Sequence, residues 1–224
     1  SCKTEKELIL RWGDLICEEN PDIMIGYNIF GFDWKFILDR CRELGCKTQL
    51  MEKISKNTEK PAIIKKMTTT LASGTHELEY VKMYGRVQLD LLNHFRREEN
   101  LPSYKLDYVS SYFIGDKINN YEIKGKDTII KSGNLMGIKD GDYISVELLG
   151  HSTDMYMDGK KFEIKEVNKE EGEFKISHEL KVDTKSLRWC LNKDDITLEE
   201  MFNGDTPKKR AKIAKYCFQD CNLV

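Results

Sequence analysis

Three side chains have the type and spacing for metal-assisted chemistry. Asp33 follows Gly26-Tyr27-Asn28-Ile29-Phe30-Gly31-Phe32, a strand end and turn that lead into a helix, so its carboxylate is expected at the edge of a sheet, at a loop-to-helix junction. That position suits a metal ligand, but an aspartate at a helix start also serves as an N-cap or as a charge opposing the helix dipole. Tyr216 and Asp220 stand four residues apart near the end of the chain, and residues at i and i+4 project from one helix face. Hydrolysis of a phosphodiester by two Mg²⁺ ions needs several carboxylates around the metals and a group that orients the attacking water; a tyrosine hydroxyl beside an aspartate supplies the second part. A Tyr/Asp pair at this spacing also arises by chance on many helices, so neither feature defines a site alone.

The elements that must position these groups can be read from periodicity and caps. Thr4-Glu5-Lys6-Glu7 is a capping box, with Thr4 as N-cap and Glu7 reaching back, and the helix it opens places Leu8, Trp12, Leu15 and Ile16 on one face. Ile23 to Tyr27 is an apolar run of strand length. Asn28 to Phe32 is a turn, and a helix is expected from about Asp33 to Leu44, stopped by Gly45. Between Cys46 and Gly85, β-prone stretches at Met67-Thr70 and Tyr80-Tyr84 flank Ala72-Ser73-Gly74, which suggests a hairpin arm. Val87 to Leu92 alternates like a strand and runs into a charged helix that ends near Pro102. Lys105 to Phe113 then reads as another helix, with Gly115 beyond it.

From about Asn119 to Ser186 the character changes. Asp142-Leu149, Asp154-Met157, Lys161-Val167 and Glu173-His178 are short β-type runs, and Asp158-Gly159 is a hairpin-turn signal, so this stretch reads as a small β-rich insertion. The expected organisation is therefore 1–118, 119–186 and 187–224. In the last part Thr197-Leu198-Glu199-Glu200 forms a second capping box, Gly204 ends that helix, and Thr206-Pro207 sets an N-cap and an N1 proline before the helix of Tyr216 and Asp220.

Bulk properties narrow the classes. With 224 residues, 40% hydrophobic and 33% charged, the chain can bury a core and has no long low-complexity tract. The longest apolar runs are a few residues and there is no signal-peptide pattern, so neither membrane association nor secretion is expected. Seven cysteines without a CxxC pair fit reduced thiols in an intracellular setting, and four scattered histidines offer no zinc spacing. A net charge of −2 removes the broad basic surface of a sequence-independent duplex binder, so contact with nucleic acid must be local.

Taken together, the motifs carry a family resemblance. Asn28-x-x-x-Phe32-Asp33 resembles the second exonuclease motif of family B DNA polymerases, and Tyr216-Cys217-Phe218-Gln219-Asp220 resembles their third, Tyr-x-x-x-Asp. Gly85-Arg86-Val87-Gln88-Leu89-Asp90-Leu91 and Leu101-Pro102-Ser103-Tyr104-Lys105-Leu106 are similar to linking segments of the polymerase delta type. Asn192-Lys193-Asp194-Asp195-Ile196-Thr197, with Ala214-Lys215-Tyr216-Cys217, is similar to polymerases of large nucleocytoplasmic DNA viruses.

The resemblance implies an α/β fold: part of an RNase H-like 3′-5′ exonuclease domain, a mixed sheet flanked by helices, with the β-rich insertion added. It also implies four metal-binding carboxylates and one tyrosine around two Mg²⁺ (or Mn²⁺) ions. Asp33 matches the motif II carboxylate, Asp220 the motif III carboxylate, and Tyr216 the tyrosine that orients the hydrolytic water. Asn28 and Phe32 match positions that shape the pocket for the 3′-terminal nucleotide; the plainer alternatives are a turn-capping Asn and a packed Phe. Asp90 is expected to be structural. Motif I, an Asp-x-Glu on a strand, is expected upstream of Thr4 and the polymerase active site downstream of Val224, so this piece is expected to be inactive by itself.

The function implied is a segment of a replicative DNA-directed DNA polymerase that removes a misincorporated nucleotide from a frayed primer 3′ end, bound as single-stranded DNA. A processivity factor is a candidate partner, no membrane is involved, and the setting is intracellular, a host nucleus or cytoplasmic replication site if the source is viral. Two alternatives stand beside it. One is a stand-alone 3′-5′ exonuclease of the same superfamily. The other is a non-catalytic nucleic-acid-binding module in which Lys160, Lys161 and Lys165 of the insertion touch phosphate, against the plain reading of a solvated face that blocks edge pairing.

Overall fold

The structure is a computed structural model that describes residues 2–71, 74–150, 152–182, 186–193 and 196–224. Ala72 and Ser73 of the expected hairpin turn, and Asp194 and Asp195 of the virus-like stretch, lie outside the described residues. The chain divides into two compact units, one formed by residues 1–104 and one by Lys105–Leu223.

The first unit begins with α1 (Glu5–Glu19), where Thr4 Oγ1 accepts the backbone N–H of Glu7 at 3.1 Å. The Glu7 carboxylate reaches one residue further than a capping box requires and takes the N–H of Lys3 at 2.7 Å. Helix α1 buries Gly13 and Ile16 and packs Ile9 and Trp12 against the core, while Leu8 and Leu15 remain exposed; the expected face is rotated toward Gly13, whose missing side chain lets Leu50 approach. Strand β1 (Ile23–Gly26) pairs in parallel with β4 (Val87–Asp90), Ile25 opposite Leu89 and Gly26 opposite Asp90. Because β-strand side chains alternate, Ile23, Ile25, Val87 and Leu89 share one face and are exposed, and Gly26 and Asp90 are buried on the other.

A single π-turn, Ile29–Asp33, connects β1 to α2 (Trp34–Glu43), so Asp33 precedes the α-helix rather than opening it. Helix α3 (Lys47–Lys53), which has no counterpart in the sequence reading, supplies Leu50 and Met51 to a core that also holds Trp34, Leu38, Cys41 and Val81. Strands β2 (Ile63–Leu71) and β3 (Gly74–Lys82) form the expected antiparallel hairpin. Helix α4 (Leu91–Glu98) follows β4 directly.

The second unit starts with α5 (Leu106–Phe113) and is built on strands β5 (Gly115–Lys124), β6 (Asp127–Ser132), β7 (Tyr143–Leu149), β8 (Thr153–Met155), β9 (Phe162–Asn168), β10 (Glu173–Ile176) and β11 (Leu187–Asn192). They form one antiparallel sheet in the order β11-β5-β6-β10-β9-β7-β8, and a further pairing of β11 with β7 closes it into a barrel in which β8 and β9 pair with successive parts of β7. Closure removes the free edges that an open sheet would expose. Inside, Ile130, Ile144, Ile164, Phe174, Ile176 and Trp189 are essentially inaccessible.

Two closing strands, β5 and β11, extend beyond positions 119 and 186 on either side, so the flanks of the β-rich stretch are part of the barrel. The Asp158-Gly159 signal does not make a hairpin. Tyr156–Gly159 is a tight helical turn with Met157 and Asp158 at positive φ, and the strands on either side of it both pair with β7 rather than with each other. Beyond the barrel come α6 (Leu198–Phe202), whose Thr197/Glu200 capping box is complete, and α7 (Pro207–Asn222), N-capped by Thr206. No helix among the described residues is long and apolar enough to cross a membrane.

Candidate functional site

In the first unit the loop before Asp33 is held by one buried carboxylate. Asp90 ends β4, caps α4 by accepting the N–H of Leu92 at 3.1 Å, and accepts the N–H groups of Asn28 at 2.8 Å and Phe30 at 3.0 Å. Three backbone donors satisfy a carboxylate that is only 7% exposed, which is what keeps its burial tolerable. Asn28 takes a left-handed conformation (φ 62°, ψ 23°), and its carbonyl accepts the N–H groups of Gly31 at 3.2 Å and Phe32 at 3.0 Å. Its side chain lies over Gly31, where a Cβ would meet Asn28 Oδ1, and asparagine is one of the few residues other than glycine that take this left-handed conformation readily. Tyr27 donates its hydroxyl to the Tyr104 carbonyl at 2.6 Å, and burial pushes that phenol up to about 12.

Asp33 makes no capping hydrogen bond, so the plain N-cap explanation for it fails. The protein packed around its carboxyl raises its pKa above the usual aspartate value, opposed by its own backbone N–H, and the negative charge of Asp90 raises it further. A cation beside Asp33 would relieve that repulsion. Phe32 is 63% exposed and lies parallel to the exposed Phe36, ring centroids 6.3 Å apart, so it is not a packed core residue.

In the second unit Tyr216 and Asp220 share one face of α7, and Lys193 meets both. Lys193, just past β11, donates to Tyr216 Oη at 2.9 Å, pairs with Asp107 Oδ1 of α5 at 3.2 Å, and lies 3.7 Å from Asp220 Oδ1. Its Nζ also stands 5.1 Å from the centre of the Tyr216 ring. Burial alone would lower the lysine pKa, but the hydrogen bonds to Tyr216 and Asp107 and the charges of Asp107 and Asp220 raise it above the ordinary value. Asp220 Oδ1 is buried and receives no hydrogen bond. An unsatisfied buried carboxylate oxygen is what a divalent cation would satisfy, and oxygen donors suit Mg²⁺, so both aspartates fit the implied metal. Among the described residues, however, no three acidic, histidine or cysteine side chains cluster, so the ligand set is partial.

The lysines expected to face phosphate are engaged within the barrel. Lys161 donates to the Lys193 carbonyl at 2.7 Å, Lys165 to Glu163 at 2.6 Å, and Lys160 lies over the Phe162 ring. Lys193 itself was missed by residue reasoning, because nothing local to Asn192-Lys193 announces a partner on α7.

Residues 1–109 match the family B DNA polymerase exonuclease domain. The DNA polymerase of Phaeocystis pouchetii virus is 38% identical over 237 residues, covering 99% of this chain. The chain is similar to the family B DNA polymerases. The DNA polymerase of Pyramimonas orientalis virus is 39% identical over 225 residues and 100% of the chain, and the DNA polymerase delta catalytic subunit of Candida albicans is 35% identical over 113 residues and 50% of it. The viral polymerases thus align through the barrel as well, while the delta subunit aligns over half the chain. The chain spans 23% and 17% of the two viral relatives.

Proposed function

We propose that the segment carries the second and third motifs of the proofreading 3′-5′ exonuclease of a replicative DNA polymerase, in an RNase H-like domain interrupted by the barrel. The observation that carries this reading is that Asp33 stands at a helix start without capping it, its carboxyl left over by the fold inside the stretch that matches the exonuclease family. The orphaned oxygen of Asp220 supports it, as does the parallel β1/β4 pair, whose apolar outer face suits a larger sheet with helices on both sides. Naming of the matched relatives as DNA polymerases favours this reading over a stand-alone exonuclease.

Asp33 and Asp220 would hold Mg²⁺ or Mn²⁺, which would supply neutralisation of phosphate charge and activation of water for attack. The Tyr216 hydroxyl would orient the attacking water. Asn28 and Phe32 shape the pocket for the terminal nucleotide, and exposed Phe32 offers a flat apolar surface to a base. A mismatched primer end frays more readily than a matched one, so unpairing energy selects the strand that enters. The full-length polymerase tests this: Asp33→Ala or Asp220→Ala is expected to abolish 3′→5′ degradation of single-stranded DNA while primer extension survives. Normal degradation by either variant would refute the assignment.

A further inference from the structure

On the barrel wall, Glu147 of β7 stands directly opposite Arg188 of β11. One terminal nitrogen of the Arg188 guanidinium donates to Glu147 Oε2 at 2.9 Å, and the other donates to the carbonyls of Ser111 at 3.0 Å and Tyr112 at 2.8 Å. Those carbonyls belong to the last turn of α5, where helical partners run out, so the arginine ties the helix end to the barrel. Gly115 makes room for it, because a Cβ there would stand 2.7 Å from the guanidinium. Leu106 packs one side of α5 against the barrel core. On another side Tyr108 and Tyr112 lie one turn apart with rings nearly parallel, 17° between planes and 6.3 Å between centroids, and Tyr112 is 53% exposed. The two rings, the Glu147–Arg188 pair and Thr153 of β8 line a cleft of about 610 Å³, within the roughly 300–1,000 Å³ of small-molecule sites.

We propose that this cleft binds a guanine base, stacked on the tyrosine pair and read by Glu147. Flat aromatic faces take any base, so the tyrosines supply affinity without choice. Choice comes from the carboxylate, which only accepts hydrogen bonds and has lone pairs beyond the one that Arg188 uses. Guanine alone among the DNA bases presents two adjacent N–H donors, its ring N1–H and its amino group, to such an acceptor; adenine and cytosine set an acceptor beside their amino group, and thymine sets carbonyls on both sides of its N–H. The Thr153 hydroxyl adds a donor for the base carbonyl. Among the described residues lining the cleft, the cation is Arg188, which Glu147 neutralises and two carbonyls occupy, so the site holds the base rather than a phosphate. The Glu147 and Arg188 side chains are each 20% exposed, which strengthens a hydrogen bond made there. The guanine has two possible sources, a position in the single-stranded DNA proposed above or a free guanine nucleotide. Barrel lysines that are engaged with their own neighbours play no part.

The test is a titration of the 224-residue chain labelled with 3-fluorotyrosine, in EDTA so that no strand is degraded, with the Tyr108 and Tyr112 resonances assigned by Tyr108→Phe and Tyr112→Phe. The probes are the trinucleotides TGT and TTT and guanosine monophosphate. TGT is expected to shift both resonances at a concentration at least tenfold below that at which TTT does. Guanosine monophosphate shifting them as readily as TGT identifies the free nucleotide as the source, and a clear advantage of TGT identifies the strand; either supports the guanine site. Followed on Tyr108, Tyr112→Ala is expected to weaken TGT binding roughly fivefold to a hundredfold, while Tyr112→Phe retains it. Glu147→Gln is expected to bring TGT down to the level of TTT. Tyr112 is exposed, so a melting temperature equal to wild type shows that Tyr112→Ala acts on binding rather than on folding. Resonances that no probe moves, equal shifts from TGT and TTT, or full TGT binding by Tyr112→Ala would overturn the proposal. None of these readings involves Asp33 or Asp220, so the guanine site and the nuclease reading fail separately.

Discussion

The Asp90 carboxylate accepts the backbone N–H of Asn28 at 2.8 Å, across 62 positions of the chain. It ties the end of β4 to the loop that presents Asp33, so the geometry of the candidate ligand depends on a residue that is itself buried. Hydrogen bonds to a charged group are worth about 1.5–3 kcal/mol each in favourable cases, and unpaired buried donors are costly. Asp90→Ala is expected to destabilise the chain by about 2–4 kcal/mol in urea denaturation and to speed hydrogen exchange at Asn28 and Phe30. Unchanged protection of those two amides would show that the loop stands without Asp90.

Barrel closure has an equally local weak point. A Cβ on Gly115 would overlap the Trp189 carbonyl across the β5–β11 pairing and press on the Arg188 guanidinium. Backbone cannot give way as a flexible side chain can, so Gly115→Ala is expected to cost about 1–3 kcal/mol, read as a lower denaturation midpoint. A midpoint equal to wild type would mean that the β5–β11 contact is looser than described.

Acid should weaken the barrel through Asp116. Burial raises this carboxyl's pKa, but the backbone N–H of Lys117, the Ser132 hydroxyl at 2.9 Å and the N–H groups of Asn134 at 2.8 Å and Gly133 outweigh it, and the net shift is downward. Ser132 in turn accepts the indole N–H of buried Trp189 at 2.8 Å. A carboxylate with a depressed folded-state pKa contributes stability present above its unfolded pKa and lost as pH falls through the folded one. Thermal midpoints are therefore expected to fall in that acid range more steeply for wild type than for Asp116→Asn, and parallel curves would remove Asp116 as the cause.

Phe32 separates binding from folding. Being largely exposed, it contributes little to the core, so Phe32→Ala is expected to leave the melting temperature nearly unchanged. If a terminal base stacks on it, the variant loses about 1–3 kcal/mol of single-strand binding, seen as a raised KM for degradation in the full-length polymerase. A normal KM would place the nucleotide elsewhere.

The parts of the fold legible in the sequence are those governed by neighbours in the chain. Thr4, Thr197 and Thr206 cap their helices as their spacing indicates, and the β2/β3 hairpin follows its alternation. Helix α3 escaped because a seven-residue helix shows too little period, and its Leu50 and Met51 read equally well as strand residues. Asp158-Gly159 misled because the strands around it are recruited by β7, a tertiary pairing that overrides the turn signal. Barrel closure joins β11 to strands far behind it in the chain, which no local pattern encodes. Asp33, Tyr216 and Asp220 are candidates by motif; the neighbours Asp90 and Lys193 depend on three-dimensional proximity, and for Asp90 the sequence supports only the expectation of a structural role.

We propose that Asp33 and Asp220 serve one metal cluster. Anomalous diffraction from Mn²⁺-soaked crystals of the full-length polymerase tests it most directly. Mn²⁺ peaks are expected within coordination distance of both carboxylates; peaks that engage neither aspartate, or the two carboxylates on separate sites, would overturn it.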